Sequence, residues 1–175
     1  IIFMASVVAF SAQAATLTSG NDYPTTLQTS QSANHLLSFT TPSGVAEGET
    51  IIITFASDFD TSSLTEDDVD ITDDSTDLTT AADCTGSEQA SVGISSDVVT
   101  ITICTGDGGA MAATSVVDVE IGSNATTSGT GSNQIVNPSS VATYYVSIAG
   151  TFGDSGSIAL PMGGDDSILV SAQLN

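Results

Sequence analysis

Through most of the chain, apolar residues recur at every second position in short runs. Clusters of Gly, Ser, Asp and Pro break these runs. Alternation of this kind predicts half-buried β-strands, with successive side chains on opposite faces of a sheet. Leu36-Leu37-Ser38-Phe39 opens one strand and Pro42-Ser43-Gly44 closes it. Thr50-Ile51-Ile52-Ile53-Thr54-Phe55 is apolar on both faces, which predicts a central position. Val69 and Ile71 alternate with Asp68 and Asp70, and Val117, Val119 and Ile121 with Asp118 and Glu120. Each of these two strands is expected to keep one face wet. Val98 to Cys104 reads as the longest clear strand, and Gly106-Asp107-Gly108-Gly109 turns the chain after it. Tyr144, Val146 and Ile148 form another inward set. Ile158-Ala159-Leu160 and Ile168-Leu169-Val170 flank a Gly- and Asp-rich tip at 161–166, which predicts a final hairpin.

No stretch beyond the first residues keeps a helical period. Ser63-Leu64-Thr65-Glu66 has the spacing of a capping box and predicts a single turn between strands. Residues 122–133, GSNATTSGTGSN, are a polar loop, expected either to join two sheets or to form a long exposed excursion. Strands at this spacing without crossover helices predict an all-β fold, an antiparallel β-sandwich. No fixed-period repeat interrupts it, and one domain over residues 15–175 is expected, as part of a longer chain.

The first ten residues, IIFMASVVAF, are apolar without a break and lead into Ser11-Ala12-Gln13-Ala14-Ala15. An apolar run followed by Ala-x-Ala resembles the end of a secretory leader, so residues 1–14 are read as the C-terminal part of a signal peptide. Cysteine usage agrees with export. The two cysteines, Cys84 and Cys104, are expected to form a disulfide. Closing that loop would stabilise the fold by about 3 kcal/mol in the chain-entropy picture. The pair lacks the further Cys or His that a zinc site needs.

Charge narrows the function. The chain has 175 residues, 21 Asp plus Glu, one His and no Lys or Arg, for a formal net charge of -21. An average domain of this length carries about twenty basic residues. Without them there is no phosphate clamp and no Schiff-base lysine. No basic patch exists for nucleic acid or an anionic membrane surface, and the net charge repels both. The low charged fraction, 12%, beside 40% hydrophobic residues, argues for a folded domain over an acidic disordered segment.

NHLLSFTTPSGVAEGETIIITF (34–55), FDTSSLTEDDVDIT (59–72) and NQIVNPSSVATYYVSIAGTFGDSGSIAL (133–160) together carry a resemblance. They look like the strands of Ig-like modules in long exported bacterial surface proteins, notably those of ultrasmall candidate-phylum lineages. The resemblance implies an immunoglobulin-like β-sandwich at the cell surface, often in tandem, with structural or adhesive roles. It supplies no catalytic residue.

Three fragments bear on chemistry. Gly153-Asp154-Ser155-Gly156 matches the nucleophile stretch of chymotrypsin-like proteases, and Thr80-Ala81-Ala82-Asp83-Cys84 their histidine stretch. Asp83 stands where the catalytic His would be, and a serine needs a neighbouring base to become a nucleophile. The lone imidazole, His35, lies in another strand. Asp154-Ser155-Gly156-Ser157 also matches an aspartic-protease loop, but that chemistry requires two such loops. Asp67, Asp68, Asp70, Asp73, Asp74 and Asp77 form an acidic cluster whose oxygens would suit calcium. The bland alternative is a solvated strand edge that resists aggregation. Asn124-Ala125-Thr126 fits a glycosylation sequon. The sequence therefore predicts a non-enzymatic secreted or cell-surface module with a structural or adhesive task. The alternatives are a calcium- or carbohydrate-binding module, using the acidic strand or the 106–109 and 161–166 turns, and a self-assembling envelope or filament subunit. Expected partners are other surface proteins, glycans or copies of itself.

Overall fold

The computed structural model describes residues 15–164. The expected leader at 1–14 and the second half of the expected final hairpin, 168–170, lie outside the described residues. The strands, in chain order, are β1 (Thr18–Asp22), β2 (Ser32–Ala33), β3 (His35–Thr40), β4 (Thr50–Phe55), β5 (Val69–Asp73), β6 (Thr76–Leu78), β7 (Thr80–Ala81), β8 (Ala90–Ser95), β9 (Val98–Ile103), β10 (Val116–Ile121), β11 (Ile135–Val136), β12 (Thr143–Ala149) and β13 (Gly156–Pro161). They build the expected sandwich. One sheet runs β1-β3-β10-β5-β6 and the other β13-β12-β4-β9-β8-β7, with a short β11-β2 pair beside them. The strand pairs are antiparallel except β7 with β8.

Alternation sets which side chains meet between the sheets. Leu37, Phe39, Val117, Val119 and Ile71 come from the first sheet, and Ile51, Ile53, Phe55, Val99, Ile101, Val146 and Ile148 from the second, all buried. β4 is central, between β12 and β9, as its two-sided apolar pattern predicts. Its outward residues Thr50, Ile52 and Thr54 are half-buried. β-Branched aliphatics supply most of the packing. His35, Phe55, Phe59 and Tyr144 form one aromatic cluster, meeting edge to face with ring centroids 5.4 to 5.8 Å apart along the chain of contacts.

Some expectations shift. The longest described strand is β12, not the one at Val98. The turn near Ser63 begins two residues later. A 3-10 turn spans Glu66–Asp68, with Thr65 as its cap and Asp68 closing the box. The β5-β6 hairpin turns on Asp74 and Ser75, both at positive φ (47° and 67°), which is the mirror-image turn that matches strand twist.

The edge of β13 is partly covered by the chain's own beginning. Thr16 bridges Ser155 and Gln28 bridges Gly163, both in parallel sense. Between these points the chain departs to form β1 in the other sheet.

Candidate functional site

The acidic stretch is not the wet strand that alternation predicts. Asp68 is 0% exposed and Asp70 2% exposed, although both occupy outward positions. The covering element is the polar loop after β10. Residues 122–134 fold back over the end of β5 and aim successive backbone N–H groups at the two carboxylates. Asp68 Oδ1 accepts the N–H groups of Ser132 and Asn133, each at 2.7 Å. Its Oδ2 accepts the Asn133 side-chain amide at 2.9 Å, the Thr65 N–H at 2.9 Å and the Thr65 hydroxyl at 3.0 Å. Asp70 accepts the N–H groups of Thr127, Ser128 and Gly129 at 2.6 to 3.1 Å. A buried carboxylate needs such partners, and here backbone amides take the place that Arg or Lys fills elsewhere. Burial pushes the Asp68 carboxyl up, but the hydrogen bonds from Asn133, Thr65 and Ser132 outweigh it and hold the group down at about 2. Gly129 is required for the loop's approach, since a Cβ there would lie 2.1 Å from the Asp67 carbonyl oxygen.

The other four acids of the stretch go elsewhere. Asp67 is exposed, and its backbone carbonyl accepts from Thr130 and Gly131. Asp73 is half-buried, with one buried carboxylate oxygen that lacks a hydrogen bond. Asp74 accepts the Val116 N–H from its turn. Asp77 is exposed and pairs with Thr72 across β5 and β6. The six are thus divided between a loop anchor, a hairpin turn and a strand face. Among the described residues, no group of three or more His, Cys, Asp or Glu side chains is placed to hold a metal ion.

Glu120, outside that cluster, feels the charge of this face. It sits directly opposite Asp70 in the β10-β5 register. Burial, then Asp70, Asp77 and Asp118, push its carboxyl above the usual range. Because the folded state raises this group, its ionised form costs stability, and that cost fades as pH falls through the raised value. Glu120→Gln is expected to raise stability at pH 7 by a few tenths of a kcal/mol after solvent screening. Thermal melts at low and high salt check this, and the gain should shrink in high salt. A loss at low salt would contradict it.

The protease-like fragments are structural. Asp154 is 1% exposed and ties the turn after β3 to the turn before β13. It accepts the Thr41 hydroxyl at 2.7 Å, the Ser43 N–H at 2.9 Å and the Ser43 hydroxyl at 2.8 Å. Burial raises its carboxyl, and these bonds bring it below the ordinary carboxylate value. Ser155 bonds through its backbone to Ala15 and Leu17. His35 begins β3, whereas Asp154 binds Thr41, just past the end of that strand and about 20 Å away at the rise of an extended strand. The imidazole is itself buried and engaged, with Nδ1 2.8 Å from Asp22 Oδ2. Asp83 binds only the N–H and hydroxyl of Thr85, in an exposed turn.

Sequence reasoning missed the Asp22–His35 pair and the Asp154 anchor. It did find Cys84 and Cys104, which form a disulfide with Cα atoms 5.4 Å apart, pinning the exposed loop before β8 to the end of β9. Asn124 of the sequon donates its amide to the His35 carbonyl.

No family model matches the chain, and no curated protein matches it. Two solved structures bear a partial likeness. One is BcpA, the major pilin subunit of Bacillus cereus, at 10% identity and a TM-score of 0.41, with 77% of this chain and 35% of that one covered. The other is the N-terminal domain of the Streptococcus gordonii adhesin Sgo0707, at 9% identity and a TM-score of 0.40, with 78% of this chain and 29% of that one covered. The chain thus spans about a third of either protein. No helix among the described residues is long and apolar enough to cross a membrane.

Proposed function

We propose that the chain is a non-enzymatic structural or adhesive module of a secreted or cell-surface protein. It presents loops on a rigid, disulfide-linked sandwich. The observation that carries this reading is the use made of the buried carboxylates. Asp68, Asp70 and Asp154 all bind loop backbone, so their chemistry is spent on fixing loop shape. The disulfide supports an oxidising compartment. Loops held by backbone amides and a covalent bridge keep their form in outside salt, where screening leaves short internal bonds intact.

The test is location and thiol state. Cells producing the gene are shaved with a protease of broad specificity, since trypsin has no Lys or Arg to cut. The module should be released, and alkylation before denaturation should label no thiol. Recovery of the chain only inside the cells, with both cysteines alkylated, would overturn the reading.

A further inference from the structure

The two sheets divide the charge unequally. The strands of the first sheet hold Asp22, Asp70, Asp73, Asp77, Asp118 and Glu120. No strand of the second sheet contains an Asp or Glu, although the chain has 21. The inward residues of that sheet are core, so its outer face is free of carboxylates. Cross-strand register lays this face out in rows. Ser157, Ser147, Thr54, Val98 and Ser95 form one, across β13, β12, β4, β9 and β8. Ala149, Ile52, Thr100 and Gly93 form the next.

Small side chains keep the centre of this face level. A Cβ added at Gly93 would meet no atom within 4 Å among the described residues. The hydroxyls of Thr54, Thr100 and Thr102 make no hydrogen bond among the described residues. Acids near the face stand at strand ends, Glu49 before β4, Glu88 before β8 and Asp97 in the β8-β9 turn. Asp165 and Asp166 follow β13 in the chain and lie outside the described residues. Ala15 is bonded beside β13 and Gly164 continues from it. Gly93, on β8, is therefore four strand spacings from both, about 19 Å.

We propose that this face pairs with the same face of a second copy, around a two-fold axis. The proposal goes beyond the module reading and does not rest on it. The chain has no Lys or Arg, and His35 is buried. Copies meeting through an acid-bearing surface would bury carboxylates with no cationic side chain to pair them. The outer face of the second sheet is the sheet face on which two copies meet without that cost. The first sheet packs about 10 Å behind the second. Its outward acids stand more than a Debye length, about 8 Å at physiological salt, from the joint. Size allows the contact. Five strands of six residues span roughly 24 by 20 Å, and pairing would bury on the order of 1,000 Å² in total, the lower end for a specific contact. Thr methyls, Ile52, Val98 and Ala149 supply apolar area, and the free hydroxyls can bond across. A basic partner would choose the acidic face of the first sheet instead.

Sedimentation velocity of the full chain over a wide concentration range tests this. Ser147→Asp and Gly93→Asp each place a carboxylate on the face at an exposed position, so each should melt within a few degrees of the parent. Asn21→Asp adds the same charge at an exposed position of the first sheet. The parent should associate as concentration rises, and more tightly in high salt. Each face variant should weaken association about tenfold or more, because like charges would be set against each other in the joint. Asn21→Asp should change it less than about twofold, as a remote and screened charge. A parent that stays monomeric, face variants that associate like it, or an equal loss in Asn21→Asp would overturn the proposal. So would a monomeric parent that cellulose removes from solution while leaving both face variants behind. That result would give the face a neutral polysaccharide as its occupant.

Discussion

Asp68→Asn should destabilise the fold by about 3 kcal/mol, the cost of leaving buried donors unpaired, or about 9 °C in melting temperature for a domain of this size. Both oxygens of this carboxylate are occupied by donors alone. Oδ1 faces the N–H groups of Ser132 and Asn133, and Oδ2 faces Thr65 and the Asn133 amide. An asparagine must put its own NH₂ on one side, so either rotamer sets donor against donor in a buried site. Asp67→Asn is the control, because Asp67 is exposed and contributes through its backbone carbonyl. That change should stay within about half a kcal/mol. The pH dependence has a fixed sign. The folded group sits at about 2, below its ordinary 3.8, so its stabilisation is complete above pH 4 and is lost as pH falls toward 2. Parent and variant melts should therefore converge in acid. Equal shifts for Asp67→Asn and Asp68→Asn at pH 7 would remove the anchor from the account.

Reduction is expected to cost nearly as much. Cys84 and Cys104 lie 20 residues apart, and opening that loop in the unfolded chain removes about 3 kcal/mol. The double change Cys84→Ser with Cys104→Ser should lower the denaturation midpoint by the corresponding amount, and reductant should then have no further effect. Amide exchange should rise first at 82–88, where the bridge holds an exposed loop whose other side-chain bonds are local. An unchanged midpoint in protein shown to carry two free thiols would refute this.

The two anchors explain why the strands were legible in the sequence and the site was not. Strand positions follow from the two-residue period, which is local. Thr50–Phe55 and Val116–Ile121 were readable from their own residues. The same rule failed at Asp68 and Asp70, because it takes a polar outward residue to be wet. What buries them lies 57 to 65 residues further along. Their donors are backbone N–H groups, which every residue but proline possesses, so no side-chain motif records them. A clue was present in another form. A chain with one His and no Lys or Arg must bury its other carboxylates against amides and hydroxyls, and the Gly-, Ser- and Thr-rich loop at 122–133 is the material for that. His35 misled in the opposite way. As the lone imidazole it invites a catalytic reading, yet it lies in the core beside Phe55 and Asp22.

The two parallel bridges at the edge of β13 also have a mechanical meaning. Ala15 lies beside Ser155 at one end of that strand, and Gly164 leaves from the other end. Tension applied between Ala15 and Gly164 runs along the strand axis. The backbone bonds of residues 15–17 to Ser155 and of residues 27–29 to Gly163 lie across that line. They are loaded together, in shear, and do not open one after another like a zipper. A sandwich pulled this way transmits force through its edge before its core is disturbed.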